Sequence, residues 1–384
     1  MKKIRVGIIS HYYKNNNYGG MLQAYALCEV LNGMGFEAKQ ISYNMRDNSF
    51  AYRSLLYKTL RKGYRVVKST LKFLRHIPIE FKLLKRKKRL RQFRECIPHT
   101  KTVFDLKTIR TCNDFDVYIT GSDQVWNPSW YDDAFLLKFV TAGKVKMSYA
   151  ASVGKKMLNE AESERFRDAL KDFSAISVRE GNAVELLQGL TEKIVELVLD
   201  PTLLLNKQEW VQKCEGKYPD DKYVFCYFLG DNDKQRKLAF DFAKKKGYRL
   251  VSAPCLNGHF RKADSKTEGT NIYDMTPGRF LNLIRNAECI FTDSFHATVF
   301  SHIFQRDFFV FINAGANREM SDRLYTLTDM FETQDRVCES AEQFDIQYLL
   351  SLSHVDYNKE FNKYDDLKMK SIGFLKDNIK RVNR

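Results

Sequence analysis

The chain is predicted to fold as α/β, with two doubly wound parallel sheets facing each other across a cleft. Short apolar strands alternate with helical stretches almost throughout. That rhythm pauses at Asp200-Pro201-Thr202 and restarts at Tyr223, and 384 residues exceed what one ordinary core organises. The expected division is residues 1–200, residues 201–340 and a helical tail over 341–384 that packs back across both. Ligands are expected where the carboxyl ends of the strands meet the cleft.

Val6, Ile8 and Ile9 read as the first buried strand. His11–Gly20 is a polar loop, and from Met21 onward Leu27, Val30, Leu31 and Met34 recur at helical spacing until Gly35. A helix start aims N–H groups and a positive dipole end at whatever sits above the sheet, and Gly19 and Gly20 allow close backbone approach. The segment therefore predicts an anion site. It is neither GxGxxG nor a Walker loop, so a nucleotide does not follow. Further strands are expected at Glu37–Tyr43, Val117–Thr120, Val145–Ala150, Ala175–Val178 and Leu197–Leu199. The second half repeats the scheme with Tyr223–Phe228, a helical stretch over Asp233–Lys246, and Arg249–Ala253. A helix capped by Thr276 with Pro277 at its first position follows, then Cys289–Thr292, a helix from Phe295, and Phe308–Ile312.

The charge is uneven. Between Phe50 and Glu95 sixteen Lys and Arg face two acidic residues, Glu80 and Glu95, so fourteen of the sixteen net positive charges lie in one insert of about residues 50–95. Leu55, Leu56, Leu60, Val67, Leu71, Phe73 and Leu74 interleave with its first basic residues, Pro78 interrupts it, and a second basic run spans Lys82–Arg94. Two readings stand side by side: an amphipathic surface for anionic lipid, and a solvated helical hairpin packed on the first domain. Nucleic acid ranks lower, because no binding motif accompanies the charge. The eight cysteines are scattered without metal-ligand spacing, which reads as reduced thiols. No apolar run is long enough to span a bilayer and no signal-peptide core opens the chain, so a cytoplasmic protein is expected, peripheral at the inner membrane face if the insert binds lipid.

Three strand ends carry candidate chemistry. Gly121-Ser122-Asp123-Gln124-Val125-Trp126-Asn127 is a polar turn, and self-capping through Asp and Ser is its commonplace explanation. Thr292-Asp293-Ser294-Phe295-His296 places an imidazole in the first turn of a helix, where it can act as a general acid or bind a phosphoryl oxygen. Arg179, after Ile176-Ser177-Val178, can grip carboxylate or phosphate bidentately, or simply pair with Glu180. Arg318, Ser321 and Arg323 follow the last strand as further anion donors, surface arginines by default.

Together these segments resemble the polysaccharide pyruvyl transferase family. The resemblance rests on Asn17–Leu27, Gly121–Asn127, Ser148–Gly154, Ser177–Glu180, Leu199–Thr202 and Thr292–His296, in family order over roughly residues 4 to 330. It implies two Rossmann-like domains of GT-B-like arrangement, and transfer of pyruvate from phosphoenolpyruvate to two sugar hydroxyls as a ketal. His296 is then the expected general acid and Asp123 the base, with Asp293 second. Substrate binding is expected from Asn17, Gly19, Gly20, Gln23, Ser122, Gln124, Arg179, Ser294, Arg318 and Arg323. Better-studied members often carry Arg-Leu-His where this chain has Ser294-Phe295-His296, so Arg318 or Arg323 is expected to supply the missing charge. No metal and no cofactor beyond the phosphoenolpyruvate donor is expected. The implied acceptor is a glycan or a polyprenyl-phosphate-linked sugar. Two alternatives share the fold: a nucleotide-sugar glycosyltransferase, and a non-catalytic member of a polysaccharide assembly system.

Overall fold

A computed structural model describes residues 3–45, 77–129, 132–254, 269–312, 321–339 and 345–383. The first half of the basic insert and Arg318 lie outside the described residues. The first sheet has strand order β3-β2-β1-β4-β5, formed by β1 (Arg5–Ile9), β2 (Glu37–Tyr43), β3 (His99–Phe104), β4 (Val117–Thr120) and β5 (Val145–Ser148). Next, β6 (Ile176–Val178) and β7 (Val195–Leu197) pair with each other and extend that sheet through the bridges Met147–Ala175 and Ala151–Val178. The second sheet has order β10-β9-β8-β11-β12-β13, from β8 (Tyr223–Tyr227), β9 (Arg249–Ser252), β10 (Thr270–Asn271), β11 (Cys289–Thr292), β12 (Asp307–Phe311) and β13 (Val337–Cys338). Every strand pairing is parallel. The connecting helices are α1 (Tyr18–Gly33), α2 (Ile77–Glu95), α3 (Glu160–Leu170), α4 (Gly181–Gln188), α5 (Lys207–Val211), α6 (Asp233–Lys246), α7 (Pro277–Asn286), α8 (Phe295–Phe304), α9 (Asp322–Met330), α10 (Ile346–Ser351) and α11 (Asn362–Ile379).

The strands read as nearly unbroken apolar runs because helices cover both faces of each sheet. All four residues of β4 and of β11 are buried. Strand order reverses between β1 and β4, and again between β8 and β11. Such switch points open a crevice at the carboxyl ends of the strands. The Gly121–Asp123 turn leaves β4 at one of them, and Asp293–His296 leaves β11 at the other.

The structure differs from the sequence reading at several points: β7 runs Val195–Leu197 where Leu197–Leu199 was expected, and the two-residue strands β10 and β13 were not anticipated. Helix α1 starts at Tyr18, because the Asn17 side chain accepts from Gly19 N–H at 2.9 Å and caps it; Gly19 and Gly20 thus belong to its first turn, not to the loop. Strand β3 was not anticipated. It is a sheet edge whose middle residues are exposed, so it lacks the buried apolar pattern that marks the others.

An aromatic seam joins the two halves behind the crevice. Tyr18 stacks on Phe280 of α7 at 5.1 Å and faces Tyr227 at 5.9 Å. Tyr25 meets Trp210 at 5.9 Å, and Trp210 meets Phe300 of α8 at 4.9 Å. Helix α11 straps the connection between the sheets. Ser371 Oγ accepts from Leu199 N–H, and Tyr364 donates its hydroxyl to Leu203 O. Within the described residues no helix is long and apolar enough to cross a membrane.

His302 on α8 is buried flat against Phe331 at 4.1 Å, with neither ring nitrogen hydrogen-bonded among the described residues, and burial pushes its pKa down to about 3. Its folded pKa lies below the unfolded one, so the unfolded chain takes up the proton first and stability falls as pH drops below 6.5. From pH 7 to pH 5 this one group should remove about 2 kcal/mol of stability. His302→Leu should abolish that part of the loss, read from denaturant titrations at the two pH values.

Candidate active site between the two sheets

Arg179 leaves β6 with its side chain completely shielded from solvent. Its Nη1 donates to Asp200 Oδ2 at 2.6 Å and to Ser122 Oγ at 3.2 Å, and its Nη2 donates to Asp123 Oδ1 at 3.3 Å. Glu180 Oε2 lies 3.8 Å from its Nε. The guanidinium also sits 4.8 Å from the centre of the Phe295 ring. Asp200 is anchored from its other side, where Oδ1 accepts from Thr202 N–H and Thr202 Oγ1 at 3.0 and 2.6 Å. Desolvation alone would raise the Asp200 pKa; His296, Arg179 and the Thr202 bonds outweigh it and hold the carboxylate low.

Asp123 reaches this cluster from a left-handed backbone, φ +74°. That conformation costs an L-residue on the order of 1–2 kcal/mol. Its carbonyl accepts from Val125 and Ser152 N–H groups, which fix the turn. Burial pushes the Asp123 pKa up, but the opposing charges, Arg179 foremost, bring it to about 2.

His296 enters from the opposite sheet, in the first turn of α8. Its Nε2 lies 3.8 Å from Asp200 Oδ2 and has no hydrogen-bond partner among the described residues. Its ring packs directly on Gly19, where an added Cβ would fall 2.0 Å from Nδ1. Desolvation lowers its pKa to about 4 even though Asp200 pulls it up, so the imidazole of the free protein is neutral at pH 7. Arg323 on α9 completes the group, 5.6 Å from the Phe295 ring. Among the described residues it has no carboxylate within ion-pair distance, and its Nε is buried without a hydrogen bond. Burial and then Arg179 push its pKa down to about 10.

The structure thus brings together Asp123, Ser122, Arg179, His296, Arg323, Gly19 and Gly20; a Cβ on Gly20 would lie 3.3 Å from Asp123 Oδ2. Other predicted site residues do local work. Asp293, the second candidate base, is a loop anchor: its two oxygens accept from Leu229 and Gly230 N–H groups at 2.5 and 2.7 Å. Ser294 caps α8 and Asn17 caps α1. Gln23 is buried and donates to Gly20 O, and Gln124 Oε1 accepts from Asn127. Arg179 departs from expectation too. Its grip is on the protein's own carboxylates, not on open space.

Three residues without a role assigned from sequence also stand at the cluster. Asp200 was visible only as part of an Asp-Pro-Thr turn. Glu180 Oε1 accepts from Ser152 Oγ and from the Val153 and Gly154 N–H groups, pinning the Ser148–Gly154 segment beside Asp123. His11, near Asp123, meets Phe135 edge-on at 4.6 Å, and burial lowers its pKa. The N-terminus of α4 is capped from the other half: Thr326 Oγ1 accepts from Gly181 N–H and Asp322 Oδ2 from Asn182 N–H.

A family model described as polysaccharide pyruvyl transferase matches residues 17–315. No curated protein matches the sequence. Among solved structures, the UDP-GlcNAc 2-epimerase of Methanocaldococcus jannaschii is 12% identical with TM-score 0.55, covering 98% of this chain and 99% of that one. The Neisseria meningitidis UDP-GlcNAc 2-epimerase bound to UDP-GlcNAc is 11% identical with TM-score 0.53, covering 99% and 100%. An Escherichia coli trehalose-6-phosphate protein bound with UDP-2-fluoro glucose is 9% identical with TM-score 0.51, covering 99% of each chain. At such identities the likeness is one of fold: two facing doubly wound domains of GT-B-like arrangement.

Gly19→Ala tests the contact on which the two halves converge. The added methyl must displace the His296 ring, so stability should fall by about 1–3 kcal/mol. The imidazole pKa, followed by NMR, should rise from about 4 toward the free value as the ring leaves its pocket.

Proposed function

Because the chain belongs to the polysaccharide pyruvyl transferase family, we propose that it moves the pyruvyl group of phosphoenolpyruvate onto two hydroxyls of a sugar in a polysaccharide or lipid-linked glycan precursor, closing a ketal. The observation that carries this reading is the meeting of His296 from one switch point with Asp123, Asp200 and Arg179 from the other half. The donor is an anion with a phosphate and a carboxylate. Arg323 and the N-terminal ends of α1 and α8 suit it, and Arg323 stands in for the arginine that Ser294 replaces.

His296 is neutral in the free protein, and an anionic donor beside it raises its proton affinity, with Asp200 as counter-charge at 3.8 Å. The imidazolium gives its proton to the terminal enol carbon, which becomes a methyl group and leaves an oxocarbenium-like centre. One sugar hydroxyl adds to that centre while Asp123 takes its proton. Phosphate then departs with the C–O electron pair and the Asp123 proton. The second hydroxyl closes the ketal, and its proton restores His296. Attack on a cationic carbon needs only a weak base, which suits a carboxylate held at about 2. No further cofactor enters this scheme.

The acceptor suits a peripheral position on the cytoplasmic face of a membrane. Helix α2 presents Lys85, Lys87, Lys88, Arg89 and Arg91 as exposed cations, appropriate to an anionic lipid surface.

Calorimetry with phosphoenolpyruvate, beside a panel of nucleotide sugars, tests the donor. Saturable phosphoenolpyruvate binding that weakens at least tenfold in Arg323→Met is expected. Uptake of a nucleotide sugar instead would transfer the protein to the glycosyltransferase reading, and full turnover by His296→Ala would remove that residue from the scheme. Asp200→Asn should lower kcat more than it raises KM. It should also move the alkaline limb of the pH–rate profile to lower pH, because the imidazolium loses its counter-charge.

A further inference from the structure

Helix α4 begins immediately after Arg179 and Glu180, yet the residue at its N-cap position does not cap it. Glu180 makes no side-chain cap hydrogen bond. Its Oε1 accepts instead from Ser152 Oγ and from the Val153 and Gly154 N–H groups. The first N–H groups of a helix find no acceptor within it, so a cap must come from elsewhere. Here it comes from α9, 140 and 145 residues further along the chain. Thr326 Oγ1 accepts from Gly181 N–H at 3.3 Å, and Asp322 Oδ2 accepts from Asn182 N–H at 3.1 Å. The Thr326 hydroxyl gives its own proton to Asp322 O at 3.1 Å, which leaves its oxygen to accept from α4. Asp322 also sets a negative charge at the positive end of that helix.

Arg323 lies between these two capping residues in sequence. Its guanidinium shares the Phe295 ring with that of Arg179, at 5.6 and 4.8 Å from the ring centre. Two like charges so placed repel each other, and Arg323 has no carboxylate within ion-pair distance among the described residues. Attraction between side chains therefore does not seat it; the backbone that carries it does. Hydrogen bonds on either side of Arg323 tie that backbone to the helix start that follows Arg179. The two guanidiniums are thus spaced by a short path of hydrogen bonds running from one half of the protein to the other. Recognition of a phosphate or carboxylate by a planar fork depends on such spacing, since displacements of a fraction of an ångström weaken it.

We propose that Asp322 and Thr326 are positioning residues for the donor anion: they latch α9 onto the start of α4 and so hold Arg323 at a set distance from Arg179. The proposal rests on the pyruvyl transfer reading for the identity of the anion, but not for the latch itself. Both residues act through Arg323.

The test measures phosphoenolpyruvate binding by calorimetry and inorganic phosphate binding by phosphorus NMR titration, on the full chain. Thr326→Val and Asp322→Ala should each weaken both anions by roughly threefold or more, as loss of one hydrogen bond allows. Thr326→Ser keeps the hydroxyl and should restore the original affinity. Placed in an Arg323→Met background, Thr326→Val and Asp322→Ala should cause no further loss, because residues acting through a third are not additive with it. A cap that only stabilises α4 would lower Tm and leave both affinities unchanged, and that result overturns the proposal. So does an equal loss with and without Arg323, or failure of the unaltered protein to bind either anion. Should Thr326→Val misfold, Asp322→Ala carries the test on the other hydrogen bond. If phosphate follows the expected pattern and phosphoenolpyruvate does not bind, the latch stands and the donor reading fails.

Discussion

The buried ion pair between Arg179 and Asp200 is the constraint around which the rest of the site is arranged. Its nitrogen and oxygen lie 2.6 Å apart with both side chains fully shielded. Two charges taken out of water are expensive, and their attraction repays that cost only when the remaining donors and acceptors are also satisfied. The neighbouring motifs do much of this. Thr202 donates twice to Asp200, Ser122 bridges Asp200 and Arg179, and Asp123 takes the other end of the guanidinium. Residues scattered over some eighty positions of sequence are thereby bound to one geometry. The cluster is also the reason Asp123 remains ionised although most of its side chain is shielded from water.

Against that fixed charge arrangement, the second half contributes one neutral ring. Phe295 presents its face to Arg179 and Arg323, and the next residue, His296, is the one of the pair that can take up and give a proton. Three constraints hold the imidazole in place: the helix start that carries it, the bare backbone of Gly19 beneath it, and the carboxylate of Asp200 beside it. The left-handed Asp123 shows the same priority of site over comfort, since backbone strain is tolerated in order to aim a carboxylate.

The alternation of apolar runs with helices was sufficient to place both sheets, because strands covered on both faces leave a continuous hydrophobic signature. Edge strand β3 escaped, since its exposed residues carry no such signature, and β10 and β13 escaped because two residues are too short to show one. At the site, residues whose type already implies charge chemistry were legible: His296, Asp123, Arg179 and Arg323 converge as their strand-end positions suggest. Asp200 and Glu180 were not, because their importance comes from partners 20 to 80 residues away that no local pattern reveals. Asp293 misled for the converse reason. A carboxylate at a strand end looks like a base until its oxygens are found occupied by the backbone of Leu229 and Gly230. The α1 boundary slipped by one turn because a polar loop and a capped helix start share the same residues.

Asp200 stands on the segment that joins the two sheets, whereas His296 rides on the second of them. Their 3.8 Å gap is therefore a measure of interdomain angle as well as of electrostatics. With the aromatic seam of Tyr18, Phe280, Tyr227, Trp210 and Phe300 acting as a pivot behind it, any swing of the second domain stretches that gap before it disturbs the core. Opening lets water reach the imidazole and raises its proton affinity toward the free value even as the counter-ion recedes; closing lowers it. Conformation and acidity become two readings of a single mechanical coordinate, so that a shut and empty cleft keeps its imidazole uncharged.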